Sequence, residues 1–157
     1  MPVVIDIKIE GADQLAKRFG TAGDLIRKTA MLDGMQDATK YVATNAAVYP
    51  GLTDANAPPP PYYIRGKGTQ YEKYNRGESK QLGDHWERKV SEKGDGVQGT
   101  VENKTSYAPW VHGVVKQRWF HKITGWRNIE RIRDDVEQGV VQIFRSGVEK
   151  VLRIAGF

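Results

Sequence analysis

The 157-residue sequence predicts an α+β domain: a small antiparallel sheet packed against two main helices, with a long extended arm rich in Pro, Tyr and Gly. Three observations predict it. Val3, Ile5, Ile7 and Ile9 alternate with Val4, Asp6, Lys8 and Glu10, the period-two pattern of a half-buried strand. From about residue 125, through Trp126 to Ile154, apolar residues recur in steps of three and four, as on an amphipathic helix. Between them, Tyr49 to Glu78 holds five prolines, four glycines and five tyrosines and almost no aliphatic side chain.

Each element follows from its local chemistry. Gly11 ends the first strand, and Ala12 to Phe19 suits a short helix with Asp13 near its positive end. Asp24 to Val48 reads as a longer helix, capped by Thr21 or Asp24. Its inward face is Leu25, Leu32, Met35, Val42 and Ala46, lined by Ala30 and Ala38, and Pro50 with Gly51 stops it. The prolines Pro58, Pro59, Pro60 and Pro61 fix an extended backbone, because each ring locks φ and removes a donor. A stretch this long without a helix or strand pattern is either a linker or an arm that orders on a partner. Tyr62, Tyr63, Tyr71 and Tyr74 favour the arm, since tyrosine is enriched at interfaces.

His85 to Ser91 and Val97 to Asn103 are predicted as a hairpin turning at Gly94-Asp95-Gly96, with Trp86, Val90, Val97 and Val101 facing one side. Tyr107 to His112 is predicted as a third strand, at an edge because of Pro109. In the last helix Trp126, Ile129, Ile132, Val136, Val140, Ile143, Phe144, Val148 and Val151 form one face, and Gly139 and Gly147 are places where it would weaken or bend.

Composition narrows the function. The length suits one domain, residues 1–157. No apolar run approaches the ~18 residues of a membrane helix, and the first ten residues do not read as a signal peptide. The sequence has no cysteine, so disulfides, thiol nucleophiles and cysteine metal sites are excluded, in keeping with a reducing cytoplasm. The net charge is +5, and the basic residues gather in Lys116 to Arg133, where Lys116, Arg118, Lys122, Arg127, Arg131 and Arg133 face one acid, Glu130. Catalytic patterns are missing. His85, His112 and His121 form no helical i, i+4 pair for zinc, and no serine sits in a nucleophile elbow. Gly66-Lys67-Gly68-Thr69 lacks the spacing of a phosphate loop, and Asp134 and Asp135 point apart on a helix. No catalytic residue, metal or cofactor is expected, and the chain reads as a non-enzyme.

The remaining cluster is aromatic and basic: Tyr107, Trp110, His112, Arg118, Trp119, Phe120, His121 and Trp126. Some of these rings, Trp110 and Trp126 first, are expected to seal the core, while Arg118 and Trp119 face a partner. Trp110, His112, Gln117, Arg118, Trp119 and His121, with the arm residues Pro58–Pro61, Tyr62, Tyr63, Tyr71 and Tyr74, are the predicted interface.

The order of motifs carries a resemblance. After the helix and the Pro-Tyr arm come Ser79-Lys80-Gln81-Leu82-Gly83-Asp84-His85-Trp86, then Glu102-Asn103-Lys104-Thr105-Ser106-Tyr107-Ala108-Pro109-Trp110-Val111-His112-Gly113, then Gln117, His121 and Gly125-Trp126. Over roughly residues 5 to 135 the chain resembles the Hong Kong 97-type tail-component family of phage proteins. The resemblance implies a closed homo-oligomeric ring at the neck or tail end of a virion, with six subunits expected and twelve an alternative. It also implies connector or adaptor and tail-tube proteins as neighbours; the basic residues then either line a lumen that passes DNA, with non-specific contact to it, or face acidic neighbours. The Pro-Tyr arm of one subunit is then expected to lie on the Trp110 to Trp126 surface of the next. The alternative from the residues alone is a basic nucleic-acid-binding or toxin-like ribonuclease domain using Arg118, His112 and His121.

Overall fold

The alternating N-terminal residues form strand β1, Val3–Ile9, with Val3 and Ile5 buried and Val4, Asp6 and Lys8 exposed. The structure, a computed structural model, describes residues 2–11, 14, 17, 23, 26–50, 81–93 and 96–154. Of the predicted helix over 12–19 only residues 14 and 17 are described, both helical; the proposed caps Thr21 and Asp24, Leu25 and nearly all of the Pro-Tyr arm lie outside the described residues. The predicted hairpin is present as β2, Trp86–Lys93, and β3, Gly96–Asn103. β3 is the central strand, paired antiparallel with β1 on one side and β2 on the other. The register sets Ile5 and Arg88 against Val101, and Val3 and Trp86 against Asn103. Strand parity therefore puts Val3, Ile5, Trp86, Val97 and Val101 on one inner face. The outer face is polar. The Thr100 hydroxyl donates to Asp6 at 2.8 Å, and Lys104 bridges Glu87 at 2.5 Å and Glu102 at 3.0 Å.

The third strand of the sheet is β1, not the predicted Tyr107 to His112. Ala108–His112 is a short helix, α3, with Pro109 in its first turn. Proline is tolerated there because the first helical N–H groups have no partner within the helix anyway. The proline that argued for an edge strand is equally a helix-start signal.

The long N-terminal helix takes two geometries: a π-helical segment, Ile26–Asp33, and the α-helix α1, Gly34–Ala46. In the π segment burial falls on Ile26, Ala30, Met31 and Met35, in steps of four and five that match its i→i+5 hydrogen bonding. Leu32, which a 3.6 period puts on the inward face, is partly buried and packs at the margin of this cluster, while Met31 is buried beside it. Beyond Met35 the spacing returns to threes and fours, with Ala38, Thr39, Val42 and Ala46 buried. Gln81–Asp84 makes a single turn, α2, that buries Leu82 before β2 begins.

The C-terminal helix, α5, runs unbroken from Ile129 to Ile154. It starts three residues later than the apolar pattern, because Asn128 caps it: the Asn128 side-chain oxygen accepts the Arg131 N–H at 2.9 Å. α1 lies on β2 and β3, while α5 packs along α1 and the π segment and reaches β1. One buried cluster joins Val3, Ile5, Val42, Leu82, Trp86, Val101, Ile132 and Val136; a second joins Ile26, Ala30, Met31, Met35, Val97 and Val151.

Glycines mark where these layers come closest. A Cβ on Gly99, in the central strand, would stand 2.5 Å from both Met35 Sδ and Thr39 Cγ2, so α1 crosses the sheet at a β3 position without a side chain. Gly139 and Gly147 do not break α5. A Cβ at Gly139 would lie 2.5 Å from the Tyr41 ring, and one at Gly147 3.3 Å from the Ala30 Cα, so both allow close helix approach.

A braced apolar platform as candidate interface

Between β3 and α5, residues Thr105 to Asn128 fold into α3, a turn, and a second short helix α4, Trp119–Ile123. Helices of five residues are not stable alone. This segment is held instead by side chains that bond backbone groups. Asn103, fully buried, donates to the Leu82 carbonyl at 2.6 Å and accepts the Thr105 N–H at 3.1 Å and hydroxyl at 2.8 Å. Gln117 donates to the Val111 carbonyl at 2.8 Å and the Trp126 carbonyl at 2.9 Å, closing the turn between α3 and α4. Arg127 forms an ion pair with Asp135 at 2.9 Å and donates to the Asn45 carbonyl, tying the segment to α5 and α1.

His112 is the central brace. It is 1% exposed, and its Nδ1 lies 2.7 Å from the Arg127 carbonyl. A carbonyl only accepts, so Nδ1 carries the proton and Nε2 is the bare nitrogen of a neutral ring. Nε2 and the Trp86 Nε1 are both buried without a hydrogen-bond partner among the described residues. Burial pushes the His112 pKa below its ordinary value; the hydrogen bond to the Arg127 carbonyl opposes this, and the Arg127 charge adds to it. The ring packs between Trp86, at 5.5 Å, and Trp126, at 5.6 Å, and Trp126 packs on Tyr49 at 5.1 Å.

The outward side of this segment is apolar. Val115 is 94% exposed, Trp119 71% and Ile123 56%, and Tyr107, Trp110, Val114 and Phe120 are exposed beside them. Exposed apolar residues grouped on one braced element mark an association surface, whereas scattered ones do not. Its charge has one sign. No Asp or Glu occurs between Glu102 and Glu130, and Lys116, Arg118 and Lys122 are exposed. The Arg118 guanidinium stacks over the Trp110 ring at 4.5 Å, which keeps a cation on the apolar surface.

The predicted interface residues divide accordingly. Arg118 and Trp119 reach the surface as expected. Trp110, named both as an interface residue and as a candidate core ring, is exposed, and the inward tryptophan is Trp86. His112 is a buried brace rather than a contact residue, and Gln117 serves the platform from inside through its two backbone bonds. His121 is partly buried, with its ring 4.2 Å from that of Phe120 and 6.1 Å from that of Trp126. The arm residues Pro58–Pro61, Tyr62, Tyr63, Tyr71 and Tyr74 lie outside the described residues. Sequence reasoning missed Val114, Val115 and Ile123. Their signal was the acid-free run between Glu102 and Glu130, in which apolar residues follow no helical or strand period.

Among the described residues no group of three His, Cys, Asp or Glu is placed to hold a metal ion, and no helix is long and apolar enough to cross a membrane. Compared with protein-family models, curated proteins and solved structures, the chain gives no match.

Proposed function

We propose that the chain is a structural subunit of a phage head–tail junction, a neck, tail-completion or tail-terminator protein that works as a homo-oligomeric ring between connector and tail. The observation that carries this reading is the braced platform: an exposed surface of Val115, Trp119, Phe120 and Ile123 held rigid by Asn103, His112, Gln117 and Arg127. Such a surface is suited to burial against protein, where aromatic residues and arginine supply most of the binding energy. The order of sequence motifs supports the place in the virion. In this role the protein turns over no substrate and needs no cofactor; it matches the geometry of one ring to the next, with connector or adaptor proteins on one side and tail-tube proteins on the other. The Pro58–Tyr74 arm is a second contact in the same reading. In the nuclease reading His112 is unsuited, being buried with its protonated nitrogen bonded to a carbonyl, which leaves that reading to Arg118 and the partly buried His121.

The test is sedimentation velocity of Trp119→Ala/Ile123→Ser beside the wild type. Both side chains are exposed, so stability should hold within about 0.5 kcal/mol. The variant should lose the assembled species; an unchanged oligomer would remove the platform from the account.

A further inference from the structure

The platform's charge states what should face it. Among the described residues neither Lys116 nor Lys122 is in an ion pair, and Arg118 lies over Trp110 rather than on a carboxylate. The matching surface must then be apolar and acidic. Such a surface exists elsewhere on the same chain. On α5, Glu130, Asp134, Glu137 and Val141 recur in steps of four, three and four, so they share one face, and all four are exposed; Arg133 lies on the same face beside Glu130 and Glu137, so the face carries three acids and one cation and is acidic on balance. Val141 is an apolar residue on this outward face, 51% exposed. Asp134 is bonded to Arg133 at 2.7 Å, and Glu130 and Glu137 are in no ion pair among the described residues. The arm, by its sequence, carries five cations and three acids over residues 51–80, so charge favours the α5 face over the arm as the platform's complement.

We infer that the platform of one copy docks on the Glu130–Val141 face of α5 of the next copy, in a head-to-tail contact. This deepens the ring reading and rests on it. Two different surfaces meeting head to tail are what a closed ring requires, since each subunit then offers one of each to its neighbours. The apolar residues hold the contact. The charges set its register and reject wrong pairings, because like charges brought together at an interface are strongly unfavourable. Aliphatic Val115 and Ile123 at the platform's surface fit a protein partner better than a phosphate backbone, to which they offer nothing.

A charge swap on the full chain tests the contact. One variant carries Lys116→Glu and Lys122→Glu, a second carries Glu130→Lys and Glu137→Lys, and a third carries all four. Arg118 on Trp110 and the Asp134–Arg133 pair stay intact in each, and circular dichroism checks that each is folded. Sedimentation velocity is run at a concentration where the wild type is assembled. Each two-site variant should assemble at least about tenfold more weakly, and the four-site variant should regain wild-type assembly. Two-site variants that assemble normally overturn this contact and leave the ring standing. Two-site variants that fail, with no recovery in the four-site chain, show that the platform's partner is a different surface and also overturn it. A wild type that stays monomeric at every concentration overturns the ring itself. One that also binds single-stranded oligonucleotide through Lys116 and Lys122 replaces it with the nucleic-acid reading.

Discussion

Gly99→Ala is the most exacting test of the packing. The new methyl group would stand 2.5 Å from Met35 Sδ and 2.5 Å from Thr39 Cγ2, and both residues are buried, Met35 completely. Carbon contacts are optimal near 3.5–4.0 Å, so the layers must part or the side chains must leave their rotamers. Overpacking of this kind costs about 1–3 kcal/mol. Alanine fits a strand better than glycine does, which returns about 0.5–1 kcal/mol. The net loss should be about 1–2 kcal/mol, or a fall in Tm of roughly 2–8 °C for a domain of this size. Thr39→Ser supplies the control. It removes the clashing methyl and keeps a hydroxyl for the Gln36 carbonyl, the Thr39 bond now at 3.0 Å. The double variant should recover about half of the loss, a favourable coupling in a double-mutant cycle read by urea unfolding. A Gly99→Ala protein as stable as the wild type would refute the close crossing of α1 over β3.

Two further predictions concern the braces. Asn103→Ala strands the buried Leu82 carbonyl and the Thr105 donors, so it should cost about 2–4 kcal/mol in urea unfolding, and a loss below about 1 kcal/mol would deny Asn103 its role. For His112 the sign follows from burial: the folded pKa lies below the unfolded value of about 6.5, so the unfolded chain takes up the proton first. Its contribution is fully present above about pH 6.5 and is lost as pH falls from there toward the folded pKa, by at most about 1.4 kcal/mol per pH unit. Stability measured at pH 5 and pH 7.5 should therefore differ more in the wild type than in His112→Phe, and equal differences would contradict the buried neutral ring.

Much of the framework was legible because its signals are local. Val3–Ile9 has a strict period of two, Val97–Asn103 faces a turn-rich Gly94-Asp95-Gly96, and α5 repeats its apolar steps over seven turns. Where the reading failed, local signals were ambiguous or the deciding contact was distant. Pro109 serves an edge strand or a helix start, and the tertiary bonds of Asn103 and Gln117 decide for the helix. The π turns of Ile26–Asp33 changed which residues face inward, and a 3.6 period cannot anticipate that. Trp86, in β2, falls on the inner face of the sheet, while Trp110 sits on the exposed side of α3 under Arg118. Arg118 and Trp119 were read as outward from their residue types, and both are exposed. His112 declares nothing by type, and only its burial and the Arg127 carbonyl make it a brace.

The central claim is that the braced platform makes this chain a ring subunit. The most direct measurement is the solution mass of the purified protein by light scattering, at moderate and at high salt. A ring subunit of the proposed kind gives one discrete closed species, of the about six or twelve subunits that the sequence resemblance implies, that persists at high salt because apolar burial holds it. A monomer at all concentrations, gaining mass only on nucleic acid and losing it steeply as salt rises, would contradict the account.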